Sequence, residues 1–237
     1  MVKVKICGLK RLEDIELVNK YNPDYIGFVF ADSKRKVSHD LASKMKDELN
    51  SGIVSVGVFV NASQDEILDL YDDGIIEIAQ LHGSESEEYI KDLKEKTNNR
   101  LKIINAIEMS NDVDLLTYDR SQADYLLLDS GKGSGKTFDW RLIRNDLKKD
   151  FFLAGGLNSE NVKEAISEFN PYAIDLSSSL ETDGFKDENK IKELVEVINW
   201  VKEDMENMVG NTYLKHWWMN WSIWKNNIII TWMTQIS

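Results

Sequence analysis

Short apolar runs rich in β-branched and aromatic residues alternate along this chain with longer segments of helical period. The apolar runs predict strands near residues 2–7, 24–30, 53–60, 75–81, 101–107, 123–129, 150–154 and 171–177. The segments between them predict helices at 12–21, 39–50, 63–73, 85–97, 110–119, 138–147, 158–169 and 187–206. Several helices have a plausible N-terminal cap, namely Ser63, Ser84, Ser110 and Asn158.

Strict alternation of strands and helices predicts an α/β fold with a parallel sheet. An open, doubly wound sheet would usually carry a glycine fingerprint after its first strand, and Gly8-Leu9-Lys10-Arg11 is not one. We therefore expect a single (β/α)8 TIM barrel over residues 1–207. Residues 208–237 are expected to form a C-terminal extension outside the barrel.

Composition narrows the possible partners. The 237 residues are 42% hydrophobic, which suits one large core, and the formal net charge of −12 disfavours binding to nucleic acid or to an anionic membrane. The single cysteine excludes an intramolecular disulfide, and His39, His82 and His216 lack metal-ligand spacing, so no metal is expected. No leader pattern and no long apolar span occur, so a cytoplasmic monomer or homodimer is expected.

Polar residues recur where the predicted strands end, which is where a barrel builds its active site. Alternation along the first strand sends Lys3, Lys5 and Cys7 to one side. Cys7 ends that strand and Asp129 ends the sixth, so we expect an acid and base pair; a small buried apolar residue is the alternative for Cys7. Other strands are followed by Ser33-Lys34-Arg35, Asn61, Gln80, His82, Gly155-Gly156 and Ser177-Ser178.

Two segments predict an anion site beside this pair. Ala154-Gly155-Gly156-Leu157-Asn158 leads into a helix, and Asp175-Leu176-Ser177-Ser178-Ser179 adds hydroxyl and N–H donors, so together they predict a phosphate cradle. The run 131–137 ends like a nucleotide P-loop, but Ser130 stands where that motif needs glycine. We interpret 131–137 as a lid over the mouth, with a solvated loop as the alternative.

Four charged or titratable side chains complete the predicted site. Arg35 offers a bidentate fork for a carboxylate, although Lys34-Arg35-Lys36 is equally compatible with an exposed charge run. His82 is either a ligand contact or a satisfied histidine at the mouth. Lys5 and Asp175 should both point inward from neighbouring strands, so we expect an ion pair between them, because an unpaired interior ammonium would be costly.

The ordered set of motifs over residues 1 to about 206 resembles the phosphoribosylanthranilate isomerases of tryptophan biosynthesis. The matching stretches are Lys5-Ile6-Cys7-Gly8-Leu9, Gly27-Phe28-Val29-Phe30 with Ser33-Lys34-Arg35, Val56-Gly57-Val58-Phe59-Val60-Asn61, Gln80-Leu81-His82-Gly83, Leu127-Leu128-Asp129, Gly135-Lys136-Thr137-Phe138-Asp139-Trp140, Gly155-Gly156-Leu157-Asn158 with Glu160-Asn161-Val162, and Asp175-Leu176-Ser177-Ser178.

The resemblance implies an isomerase that performs an Amadori rearrangement of N-(5-phosphoribosyl)anthranilate without a cofactor. It implies Asp129 as general acid and Cys7 as general base, with Arg35 on the anthranilate carboxylate and the Gly156 and Ser178 region on the phosphate. His82, Gly155, Asp175 and Ser177 complete the expected substrate site. The alternatives are the related histidine-pathway isomerase and a barrel that binds a sugar phosphate without catalysis.

The chain departs from the family pattern at three places. Lys132 and Ser179 stand where the family usually has glycine, and the Ser179 change should cost backbone freedom in the phosphate loop. The extension carries five tryptophans, Trp217, Trp218, Trp221, Trp224 and Trp232. It is interpreted as sequence that does not fold, with an added membrane or partner-binding segment as the alternative.

Overall fold

Eight parallel strands close into a barrel in sequence order. The computed structural model describes residues 1–131, 138–144 and 146–210. The strands are β1 Lys3–Cys7, β2 Tyr25–Val29, β3 Val54–Phe59, β4 Ile78–Leu81, β5 Lys102–Glu108, β6 Tyr125–Asp129, β7 Phe151–Leu153 and β8 Ala173–Leu176. Each strand pairs with the next and β8 pairs with β1, which confirms the predicted barrel.

The α-helices of the described residues follow the strands in the predicted alternation. They are α1 Leu12–Tyr21, α2 His39–Asp47, α3 Gln64–Asp72, α4 Glu87–Lys96, α5 Leu115–Asp119, α6 Val162–Phe169 and α7 Glu188–Gly210. The chain divides into a compact unit, Met1–Val195, that contains the whole barrel, and a second unit that begins at Glu196.

Of the four predicted N-terminal caps, only Ser63 caps a helix in the structure. Ser63 caps α3 as predicted, with its side chain accepting from the N–H of Glu66. The predicted caps Ser84 and Ser110 are wrong, because Ser86 caps α4 and Asp114 caps α5. Asn158 also caps no helix; its Oδ1 accepts from the N–H groups of Glu160 and Asn161 in a turn that delays α6 until Val162.

The helix predicted at 138–147 is wrong over its described part. Only Trp140–Leu142 forms a single turn of 3₁₀ helix, and Ile143 then has extended backbone angles. Side-chain pairs two residues apart, Arg141 with Asp139 and Arg144 with Asp146, stabilise this irregular path. Short-range pairs of this kind compete with the helical backbone pattern.

A small hairpin that the sequence analysis missed follows β8. Its strands are β9 Glu181–Thr182 and β10 Phe185–Lys186, and they pair antiparallel. The two linking residues, Asp183 and Gly184, both have positive φ, at 53° and 79°. An Asp-Gly pair between two short runs is a recognised hairpin signal, so the sequence did contain the necessary information.

The N-terminal end of the barrel is closed by satisfied polar groups. Asp24, Glu77 and Asp124 directly precede β2, β4 and β6, and each accepts a backbone N–H from the preceding strand at 2.9 Å. Further carboxylate bonds come from three lysines, Lys46 to Glu77 and Lys94 and Lys102 to Asp124. Lys3 donates to the hydroxyls of Tyr25 and Tyr172, which also bond each other at 2.9 Å.

Candidate active site

A cavity of about 620 Å³ opens at the C-terminal ends of the strands. All the residues predicted for the site line it, namely Cys7, Arg35, His82, Asp129, Gly155, Gly156, Asp175, Ser177 and Ser178. Asn61 lies outside this lining; its side chain accepts from the N–H and hydroxyl of Ser84. Position at a strand end therefore predicted the site well. Asn61 is the exception, because its side chain stabilises a loop instead.

Cys7 is buried at the end of β1, beside Gly27 of β2. A Cβ atom added at Gly27 would lie 2.6 Å from the thiol Sγ, so only glycine leaves room for this side chain. Burial raises the pKa of the Cys7 thiol, and the positive charges of Lys5 and Lys186 oppose that shift without cancelling it. The thiol therefore keeps its proton in the free site at neutral pH.

The predicted ion pair between Lys5 and Asp175 is confirmed. The two side chains are 2.7 Å apart, and that of Lys5 is fully buried. The same ammonium donates to Oε1 of Gln80 at 2.9 Å. Burial alone would lower the pKa of Lys5, but interactions led by the charge of Asp175 outweigh burial and leave it raised, so the side chain is an ammonium ion.

Each carboxylate oxygen of Asp129 has a nitrogen neighbour. The backbone N–H of Ser130 donates to Oδ1 at 2.8 Å, and Nε2 of His82 lies 3.3 Å from Oδ2. On its other side, Nδ1 of His82 is 3.3 Å from Nε2 of Gln80. His82 thus contacts the predicted acid directly.

Arg35 is not part of an exposed charge run, because its guanidinium pairs with Glu181 of the hairpin. Nε lies 2.7 Å and Nη2 2.8 Å from the two carboxylate oxygens. Glu181 also accepts from Lys186, which is almost fully buried and donates a further bond to the carbonyl of Ser177. Among the described residues, the Nη1 edge of Arg35 has no hydrogen-bond partner, so it remains for a ligand.

The predicted phosphate segments form a cradle of backbone and hydroxyl donors. Gly155 and Gly156 have φ of 80° and 69°, and a Cβ atom at Gly155 would lie 2.5 Å from the N of Ser130. Ser178 and Ser179 begin a short 3₁₀ helix opposite them. Both serines line an adjoining cavity of about 390 Å³ with Gly156. This geometry suits an anion that is held by N–H and O–H groups.

The departures from the family pattern have different outcomes. Ser179 does not adopt positive φ, so the loop accommodates the serine without backbone strain. Its Oγ is buried and has no hydrogen-bond partner in the described part of the chain, which leaves it available at the cradle. Lys132 and the rest of the predicted lid, 132–137, lie outside the described residues, as does the extension beyond Gly210.

Sequence reasoning omitted several residues from the site. Glu181 and Lys186 come from the missed hairpin, and Glu108 lines the cavity at the end of β5. Gln80 stood at a strand end but was assigned no role. Gln80 lies in β4 two residues before His82, so strand alternation already indicated that the two side chains point to the same side.

The described residues contain no group of three or more His, Cys, Asp or Glu side chains that could hold a metal ion. None of the described helices has both the length and the apolar composition of a membrane span.

A thiol, a carboxyl group and a set of backbone and hydroxyl donors at the C-terminal mouth of a closed barrel are typical of a (β/α)8 enzyme. The family model for N-(5'phosphoribosyl)anthranilate (PRA) isomerase matches residues 4–197. The chain therefore belongs to the N-(5'-phosphoribosyl)anthranilate isomerase family.

Named relatives and solved structures agree with this assignment. The chain is 45% identical to the isomerase of Endomicrobium trichonymphae over 203 residues, covering 84% of this chain and 98% of the relative. The isomerase of Clostridium acetobutylicum is 43% identical, with coverage of 82% and 97%. The crystal structure of phosphoribosyl anthranilate isomerase from Thermus thermophilus matches with a TM-score of 0.76 at 29% identity. The match covers 84% of this chain and 100% of that chain.

One similar structure contains a bound ligand. A phosphoribosyl anthranilate isomerase in complex with reduced 1-(o-carboxyphenylamino)-1-deoxyribulose 5-phosphate has a TM-score of 0.73 at 36% identity. The match covers 84% of this chain and 99% of that one.

Proposed function

We propose that the mouth of this barrel catalyses the Amadori rearrangement of N-(5-phosphoribosyl)anthranilate to 1-(2-carboxyphenylamino)-1-deoxyribulose 5-phosphate, with Asp129 as general acid and Cys7 as general base. The observation that carries this proposal is that both residues, from opposite parts of the sequence, line one cavity of about 620 Å³. Membership of the isomerase family supports the same reaction.

Asp129 begins the reaction by protonating the furanose ring oxygen. The bond from C1 to that oxygen breaks, and the lone pair of the anthranilate nitrogen forms a C1=N iminium ion. The hydrogen bond that Asp129 accepts from the N–H of Ser130 and the contact with Nε2 of His82 hold the carboxyl group in place for this transfer. A positioned general acid contributes about 10²–10⁴-fold to the rate.

Cys7 then removes the proton from C2. The C–H electron pair forms a C1=C2 bond and neutralises the iminium nitrogen, giving an enolamine that tautomerises to the ketone. C1 is reduced as C2 is oxidised within one molecule, so the reaction balances without a redox cofactor.

Charge explains how a thiol of raised pKa serves as the base. The iminium ion brings a further positive charge to a site where Lys5 and Lys186 already favour the thiolate. A nearby cation stabilises a thiolate. The base is thus activated when its substrate is ready to lose a proton.

Arg35 and the cradle would hold the two ends of the substrate. The Nη1 edge of Arg35 binds the anthranilate carboxylate while Glu181 fixes the other edge through two hydrogen bonds. The phosphate lies among Gly155, Gly156, Ser177 and Ser178, all at the cavity lining. Asp175 would contribute to substrate binding through its Oδ1 atom, which is buried and has no hydrogen-bond partner among the described residues.

Complementation of a tryptophan auxotroph tests the reaction. The wild-type gene should restore growth without tryptophan, whereas the Asp129→Asn gene should not. Failure of the wild-type gene, with the protein expressed and folded, would contradict the proposal and favour a barrel that only binds a sugar phosphate. The proposal includes action in the cytoplasm as a monomer or homodimer, where the single cysteine remains a free thiol.

A further inference from the structure

A chain of neighbouring side chains leads across the barrel from the base to the acid. Lys5 lies beside Cys7 and donates to Oε1 of Gln80 at 2.9 Å. Nε2 of Gln80 is 3.3 Å from Nδ1 of His82. Nε2 of His82 is 3.3 Å from Oδ2 of Asp129. The side chain of Gln80, only 2% exposed, is the middle of this chain.

The direction of the hydrogen bonds in this chain follows from Lys5. An ammonium group has donors and no acceptor, so the amide oxygen of Gln80 must face it. The amide NH₂ group of Gln80 therefore faces His82. Since NH₂ also has no acceptor, Nδ1 of His82 must accept and carries no proton. The ring proton then belongs on Nε2, which faces Asp129.

We propose that Gln80 is a positioning residue for the isomerase reaction, which keeps His82 in its neutral Nε2–H tautomer so that the ring donates a hydrogen bond to Asp129. This inference rests on the proposed function for its catalytic meaning, although the tautomer itself is a property of the free protein. The tautomer of a histidine is set in this way by the partner of its other nitrogen.

The arrangement has a chemical consequence for the acid. His82 cannot carry two protons while Gln80 donates to Nδ1, so it is not the source of the proton given to the substrate. It orients the carboxyl group of Asp129 together with the N–H of Ser130. The proton given to the substrate is therefore assigned to Asp129.

The substitution Gln80→Glu keeps the length of the side chain but replaces the amide group that donates to Nδ1 of His82 with a carboxylate, which can only accept. A carboxylate at position 80 accepts from Lys5 and equally from an Nδ1–H group. His82 should then become the doubly protonated imidazolium ion and pair with Asp129 as a cation. The ¹⁵N chemical shifts of the ring distinguish the Nε2–H tautomer, the Nδ1–H tautomer and the imidazolium ion.

The experiment compares the full-length wild type with the Gln80→Glu variant at one neutral pH, with the signals of His82 assigned through their loss in His82→Asn. We expect the Nε2–H pattern in the wild type and the imidazolium pattern in the variant. We also expect kcat to fall about 10-fold, less than the ~10²-fold or more expected from loss of the acid itself, with little change in KM. Gln64→Glu makes the same chemical change on α3, where Gln64 bonds to the carbonyl of Tyr89, and should alter neither readout.

Three results would overturn the proposal. The first is an Nδ1–H or imidazolium pattern in the wild type. The second is an unchanged tautomer in Gln80→Glu, and the third is an altered tautomer in that variant with normal kcat. A wild-type protein that shows the Nε2–H pattern but has no isomerase activity would instead refute the proposed function and leave the tautomer assignment intact. If Gln80→Glu unfolds, Gln80→Met, which cannot donate to Nδ1 of His82, should lose the single Nε2–H pattern.

Discussion

At the N-terminal end of the barrel, Asp24, Glu77 and Asp124 accept backbone N–H groups of neighbouring strands, whereas at the C-terminal mouth several buried polar atoms have no partner among the described residues. The unpartnered atoms at the mouth include Asp175 Oδ1, Ser130 Oγ and Ser179 Oγ. An unpaired buried polar group costs stability, so its presence needs a compensating use. The N-terminal end is built to stabilise the barrel, and the mouth is built to bind a ligand.

Charge shows the same contrast between the two ends. At the N-terminal end, burial would raise the pKa of Asp124 and of Glu77. Lys102 and Lys94 lower the pKa of Asp124 below its ordinary value, and Lys46 and Ser55 do the same for Glu77. At the mouth, burial dominates and holds Cys7 as a neutral thiol. A group that must change its protonation state during a reaction needs the second environment.

The largest expected effect is at the mouth. Cys7→Ala and Asp129→Asn should each lower kcat by at least about 10², because each removes a proton-transfer group. Substrate affinity should change little. For Asp129→Asn, the free energy of unfolding should change by less than about 1 kcal/mol if the mouth contributes function and not stability. Steady-state kinetics and denaturant unfolding measure the two quantities, and near-normal turnover in either variant would show that the assigned role is wrong.

The reverse result is expected at the N-terminal end. Asp124→Asn should lower the free energy of unfolding by about 3 kcal/mol, since it weakens a network with Lys94, Lys102 and the N–H of Ile103, while kcat stays near the wild-type value. Asp92→Asn, an exposed change on α4, is the matched control and should be neutral. A fall in kcat without loss of stability would contradict the conclusion that the N-terminal end serves stability and the mouth serves function.

Acidity adds a second test at Asp124. The folded carboxyl group has a lower pKa than the unfolded one, so its contribution is complete above the unfolded pKa and is lost as the pH falls through the folded value. The difference in unfolding free energy between wild type and Asp124→Asn should therefore shrink on acidification. A difference that grows at low pH would mean that the carboxylate is not stabilised by its lysines.

A smaller effect at the mouth concerns Arg35. Arg35→Met should weaken binding of the carboxylated product by about 10–10²-fold, as expected for loss of a charge-assisted hydrogen bond. It should weaken binding of a decarboxylated analogue much less. Calorimetric titration of both ligands separates this role from the structural pair with Glu181, because losing that pair alone would weaken both ligands equally.

Sequence pattern predicted the barrel because strands and helices differ in period over their whole length, and it predicted the site because the fold brings strand ends together. It failed at 138–147, where pairs such as Arg141 with Asp139 favour an irregular turn. It also could not show that Arg35 would meet Glu181, which is 146 residues away. The link from Gln80 to His82 likewise depends on where Lys5 lies across the barrel.

The smallest effect is expected from removing the C-terminal extension. All eight strands of the barrel, including the closing pair of β1 and β8, lie within Met1–Val195, and the family model ends its match at residue 197. The N-terminal end already has its carboxylates and tyrosines satisfied by groups within that unit.

A protein ending at Asn207 should therefore keep kcat/KM and the unfolding midpoint of the full chain. It should also be more soluble, because it loses the five clustered tryptophans of the extension, whose apolar surface promotes association. A large drop in the unfolding midpoint on truncation would instead mean that the barrel depends on the extension for stability, and that satisfied polar groups at its N-terminal end are not enough.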